Sequence, residues 1–184
     1  TCGGGTCSGS FKRDAFENND AETTPYNLGD YSDSQNWPQR TINTPTISGP
    51  GDVDWYRYFV NDVAGGDIEP YVKVSVVDPA FNIEICIYFH CTDDNAVPAN
   101  LDCPGAGGSP AGNIVSGNKT FKGCCRNAGG NGAEESMRFE ASALSDSEME
   151  CDSSDDDFIA LVRVRDLNNN YNCDNEYTLQ IGDD

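Results

Sequence analysis

Long apolar runs are missing from this chain of 184 residues, and no stretch of about 18 apolar residues could carry a helix across a bilayer. Bases are scarce, with 11 Lys and Arg against 31 Asp and Glu and a formal charge of -20. A nucleic-acid backbone or an anionic membrane face would be repelled by that field, so cations are the expected partners and nucleic acid is not. Histidine occurs once, at His90, which leaves a nucleophile with almost no choice of base. No glycine-rich loop is followed by Lys and Ser/Thr, no dinucleotide fingerprint joins a strand to a helix, and no CxxC pair occurs. With 31 acids, carboxylate pairs of the glycosidase kind arise by chance and none stands out. The expectation is a protein that is not an enzyme.

Cysteine, by contrast, is abundant: Cys2, Cys7, Cys86, Cys91, Cys103, Cys124, Cys125, Cys151 and Cys173. Zinc would want closely spaced thiolate pairs or more histidine, and a cytosolic chain would have to keep all nine thiols reduced. The density therefore predicts disulfides and an oxidising, extracellular compartment. Because nine is odd, at least one cysteine is free, bonded to another chain or bonded to something else. Cys124 and Cys125 are adjacent, so in extended chain their side chains point to opposite sides and should find different partners. The opening TCGGGTC has no methionine and no charged apolar leader, which reads as a mature secreted form.

The length fits one domain. Residues 1–12, TCGGGTCSGSFK, carry little apolar surface and predict an extended N-terminal arm, with residues 13–184 as a single β-sandwich domain. Up to about residue 45 the chain is polar and turn-rich, and only short strands are expected. Alternation of β-branched and aromatic residues then predicts strands at 53–60 (VDWYRYFV), 71–78 (YVKVSVVD) and 81–90 (FNIEICIYFH). Further strands are predicted at 113–121, 136–142, 157–166 (DFIALVRVRD) and 176–181 (EYTLQI), with a turn or two of helix near 141–151. DCPGAGGSPAG at 102–112 and NAGGNG at 127–132 read as loops pinned by cysteines, closures that restrict the unfolded chain. The pattern predicts an all-β, antiparallel sandwich of about eight strands, stapled by disulfides.

One stretch concentrates oxygen ligands. DAFENNDAE at 14–22 puts four acids and two asparagines into nine positions, the groups from which calcium builds its shell of six to eight oxygens. Its spacing is not that of an EF-hand. DSSDDD at 152–157 is a second acidic run, of the kind that usually forms a solvated face. His90 ends a strand, where packing is the expected role. Asn118-Lys119-Thr120 is the one N-x-S/T sequon and is expected to be idle in a bacterial protein. Trp37, Tyr26, Tyr31 and Tyr171 fall in polar stretches, where they either stack on a ligand or cover the ends of the sandwich.

D-x-F-E-N-N-D at 14–20, followed by S-G-P-G-D-V-D-W-Y-R-Y-F-V at 48–60 and the closing E-Y-T-L-Q-I, resembles the bacterial pre-peptidase C-terminal domain. The resemblance covers roughly 14–181. Asn18 stands where that family has proline, and Ala15 where its calcium-binding members carry a further acid. What the resemblance implies is a jelly-roll-like sandwich in a secreted, non-catalytic protein. In related collagen-binding modules the early acidic segment binds calcium together with aspartates beside the central strand. Carried over by position, the ligands implied are Glu17, Asn19 and Asp20, with Asp52 or Asp54 completing the shell. The expected function is a self-assembling extracellular structural subunit, associating through its arm or its sheet edges. The alternative is an accessory module that binds extracellular polysaccharide or protein.

Overall fold

The computed structural model describes residues 15–32, 40–49, 51–61, 69–76, 78, 80–92, 95–104, 108–127, 134–139, 149–151, 157–168 and 176–183. The expected arm at 1–12, Trp37, the helical segment at 141–148, residues 152–156 of the second acidic run, Tyr171 and Cys173 lie outside them. The described residues contain no helix and form twelve strands. These are β1 (Tyr26–Ser32), β2 (Arg40–Thr46), β3 (Val53–Asn61), β4 (Pro70–Val76), β5 (Ile83–Cys91) and β6 (Asn100–Leu101). They continue with β7 (Gly108–Ser116), β8 (Lys119–Arg126), β9 (Glu135–Arg138), β10 (Met149–Glu150), β11 (Phe158–Asp166) and β12 (Glu176–Asp183).

A six-stranded sheet in the order β1-β3-β11-β5-β8-β7 faces a four-stranded sheet in the order β2-β12-β4-β9, and β6 and β10 form a short separate pair. The fold is thus the expected sandwich, with one exception to its antiparallel character: β1 runs parallel to β3. There are also more strands than the eight expected. Two come from the polar stretch before residue 47, where β1 and β2 are edge strands that bury few side chains. Another comes from the stretch 113–121, which is not one strand but the tip of a β7–β8 hairpin turning at Gly117 and Asn118. The segment 108–112, expected as loop, is the first half of β7.

Period-two alternation puts Tyr56, Tyr58 and Val60 of β3, Ile83, Ile85, Ile87 and Phe89 of β5, and Phe158, Ala160, Val162 and Val164 of β11 on one face of the large sheet. Val72 and Val74 of β4 and Leu179 and Ile181 of β12 meet them from the small sheet. Phe89 sits edge-on to both Phe139 (5.0 Å) and Phe158 (5.3 Å) at the middle of this core. Each such side chain contributes about 1.5–3 kcal/mol by leaving water.

The outer face of the large sheet is covered as well. Trp55, Cys86, Tyr88, Phe121, Ile159 and Leu161 form a second buried cluster there, against which Ala111 and Ile114 of β7 pack. That requires the sheet to curl. Ser116, at the end of β7, donates a hydrogen bond to the carbonyl of Glu22, only four residues before β1 begins. Four residues span at most about 14 Å, whereas the two edges of a flat six-stranded sheet lie about 24 Å apart. A bulge between Pro110 and Gly112, with Gly112 at φ 74°, supplies part of the bend.

All six described half-cystines are bonded: Cys86 to Cys125, Cys91 to Cys151 and Cys103 to Cys124. The adjacent Cys124 and Cys125 do take different partners, because Cys124 faces the core and Cys125 the outer cluster. Three disulfides belong to an oxidising environment. No helix among the described residues is long and apolar enough to cross a membrane.

Candidate metal site

The acidic segment is held by its neighbours before any ligand is considered. Phe16 packs edge-on against Tyr26 (4.9 Å) and Tyr56 (6.4 Å), and the carbonyl of Asn19 accepts a hydrogen bond from the Trp55 N–H at 2.8 Å. Residues 16–19 therefore lie along the start of β3. Just before that strand, the Asp52 N–H donates to the Gly49 carbonyl at 3.1 Å. Ser48 ties turn and segment together, donating its backbone N–H to Asp52 Oδ2 and its hydroxyl to Glu17 Oε1 at 3.3 Å.

The result is that carboxylate oxygens of Glu17, Asp20 and Asp52 lie within 4.8 Å of one another. Like charges at such separations repel by about 1 kcal/mol in water and by several-fold more at a partly buried site. Asp52 records this: burial first, and then the hydrogen bond and charge of Asp20, raise its pKa against the two Ser48 donors that lower it. A proton or a cation relieves the repulsion. Asn19 is fully buried, and its side-chain oxygen and nitrogen have no hydrogen-bond partner among the described residues, a state that costs about 1–3 kcal/mol per group. The three carboxylates are hard oxygen donors, the kind that suits calcium and not zinc.

Asp54, also carried over as a ligand, goes elsewhere. It is fully buried on the inner face of β3 with Tyr56 and Tyr58, and it accepts a hydrogen bond from the Tyr177 hydroxyl at 2.6 Å. The Tyr56 and Tyr177 hydroxyls are themselves 2.6 Å apart. Burial, then the Asp54 charge, then Tyr56 hold the Tyr177 phenol protonated, its pKa well above the ordinary range. This chain of groups links β3 of one sheet to β12 of the other.

Other candidates settle into structural places. His90 is buried, with Nδ1 2.9 Å from the Thr120 carbonyl and Nε2 2.9 Å from Lys119 Nζ, and its ring lies against Phe121. A carbonyl on one nitrogen and an ammonium on the other make the Nδ1–H tautomer the consistent one. Tyr26 and Tyr31 are partly buried and pack edge-on with Phe16 and Tyr58, covering the sandwich. Asn118 is exposed at the tip of the β7–β8 turn. Glu84, Cys86 and Cys125 also converge, but the two sulfurs are bonded to each other and Arg163 occupies the space between them and Glu84. Ser48 escaped the residue-by-residue reading, although its place four residues before Asp52 in a glycine-proline turn is a signal for side-chain capping.

No family model, curated protein or solved structure matches this chain.

Proposed function

We propose that this protein is a secreted, non-catalytic structural subunit, whose N-terminal segment is clamped to the sandwich by calcium and which assembles with further copies outside the cell. The reading rests on the convergence of Glu17, Asp20 and Asp52, with the unsatisfied amide of Asn19 next to Asp20 in the chain. Glu17, Asp20 and Asp52 would hold the ion, with the Asn19 oxygen as the neutral donor. Calcium bound there would neutralise the repulsion and fasten residues 15–22 to the turn before β3. It supplies no chemistry to a substrate. What supports a structural role is that the single histidine is buried and engaged on both ring nitrogens, so it does not serve as a general base. Three disulfides support secretion.

The test is a melting curve of the full chain with and without a chelator. A ligand bound only by the folded state stabilises it by mass action, about 2.7 kcal/mol at 100 times its dissociation constant. Chelation should lower the Tm of the wild type by several degrees and leave D52N unmoved. Negative-stain images under both conditions should show oligomers or fibres that calcium favours. An unchanged Tm sinks the clamp, and a monomer at high concentration sinks the assembly.

A further inference from the structure

The Cys86–Cys125 disulfide differs from the other two in where it sits. It joins directly paired residues of β5 and β8, with Cα atoms 4.0 Å apart, so the ladder around it keeps the strands in register when the bond opens. Cys91–Cys151 and Cys103–Cys124 instead join positions that no described strand pairing connects.

Its electrostatic surroundings also differ. Arg163, across from Cys86 on β11, brings Nη2 to 2.9 Å from Cys86 Sγ and 3.6 Å from Cys125 Sγ. The same nitrogen is 2.7 Å from Glu84 Oε1, and the guanidinium lies 5.7 Å from the centre of the Trp55 ring. Arg165 binds the same Glu84 oxygen at 2.6 Å. Glu84 Oε1 itself is 3.5 Å from Cys86 Sγ. Two guanidiniums thus share the Glu84 carboxylate beside the sulfurs, with the charge of Glu22 also reaching Tyr88, in a chain whose net charge is -20. The Tyr88 hydroxyl, kept protonated chiefly by its burial, is 3.9 Å from Cys125 Sγ. Cys86 is fully buried, whereas Cys125 is half-buried and so open to approach.

We propose that Cys86–Cys125 is a thiol-exchange site. An incoming thiolate, its proton already lost to solvent, attacks Cys125 Sγ. A new S–S bond forms there, the Cys86–Cys125 bond breaks, and its electron pair leaves on Cys86 Sγ. One disulfide is exchanged for another, so no oxidant or reductant is consumed. Arg163 stabilises the departing Cys86 thiolate, as a guanidinium beside a sulfur does generally. The thiol comes from a small molecule or from a second copy of this chain. Within this sequence the cysteines outside the three described disulfides, Cys2, Cys7 and Cys173, are the ones from which a second copy would supply it. The inference depends neither on calcium nor on assembly.

The experiment incubates the oxidised full chain with reduced glutathione, blocks free thiols at intervals and maps them by mass spectrometry. The glutathione adduct should appear on Cys125, with Cys86 the first of the six described cysteines to be blocked. R163M should slow that opening about threefold for each unit by which it raises the leaving thiol's pKa, at a Brønsted slope of about 0.5. E84Q, which raises the local positive charge, should speed it, and R163K, which keeps the charge, should lose less than R163M. If R163M fails to fold, the E84Q and R163K pair decides. Earlier opening of Cys91–Cys151 or Cys103–Cys124, or equal rates in wild type and variants, overturns the proposal. A second arm holds concentrated protein without added thiol. A dimer linked through Cys125 identifies the second copy as the source, and a glutathione adduct without dimer identifies a small thiol. Neither product in either arm also overturns it.

Discussion

Asp52 and Asp54 are two residues apart and meet opposite environments. Asp52 precedes β3 and shares its space with Asp20, whereas Asp54 lies within β3 and accepts from Tyr177. Because Asp52 holds its proton more tightly in the folded chain than unfolded, the folded state carries more protons as pH rises out of the ordinary aspartate range. The metal-free protein should lose stability across that window. The calcium proposed above would bind the ionised form, so its presence should reverse the slope. Melting temperatures between about pH 4 and pH 7, in chelator and in calcium, check this, and D52N should flatten the difference between the two series. Tyr177→Phe removes a hydrogen bond to a buried carboxylate and should cost about 2 kcal/mol, read from urea unfolding. Of these residues, the cluster was legible because acids at 17 and 20 and an aspartate in a turn near residue 50 form a two-part motif. Asp54 was carried over as a ligand, although its parity with Tyr56, Tyr58 and Val60 already put it on the inward face. Ser48 carries no such label, since a serine in a turn has many roles.

Among the elements, β3, β5 and β11 were readable because each alternates over a long run and pairs centrally in the large sheet. On β5, however, alternation understates the burial. Cys86, Tyr88 and His90 occupy its second face and are buried too, because the curled β7–β8 hairpin covers them. No local pattern announces a cover that arrives from 30 residues downstream. The edge strands β1 and β2 were hidden for the opposite reason, since edges with few inward side chains look like polar loop. Gly123 shows how closely the hairpin strand lies on β5. A Cβ at that position would come within 2.4 Å of the Ile87 carbonyl oxygen and of the Tyr88 ring, which pairs across from it. Gly123→Ala should therefore separate β5 from β8 and destabilise by about 3 kcal/mol or more. Thermal melting reads the loss, and Gly112→Ala, with no atom within 4 Å of its Cβ, separates crowding from backbone strain.

For the whole molecule, two sheets around one core followed from composition and periodicity, while the curl of the larger sheet and the parallel β1 did not. Long-range closure depends on which edge meets which, and a single chain pattern does not encode that. The disulfides carry a further consequence, in mechanical terms. Cys91–Cys151 spans a sequence separation of 60, and the Cys86–Cys125 and Cys103–Cys124 loops overlap it or lie inside it. When the oxidised chain is pulled from points just outside residues 86 and 151, load passes from Cys91 to Cys151 through sulfur, and the residues between them bear none of it. At about 3.5 Å per residue that withholds about 200 Å of extension, which reduction should restore in a single-molecule pulling trace. A fibre built of such subunits would give way by a short, fixed length and then hold.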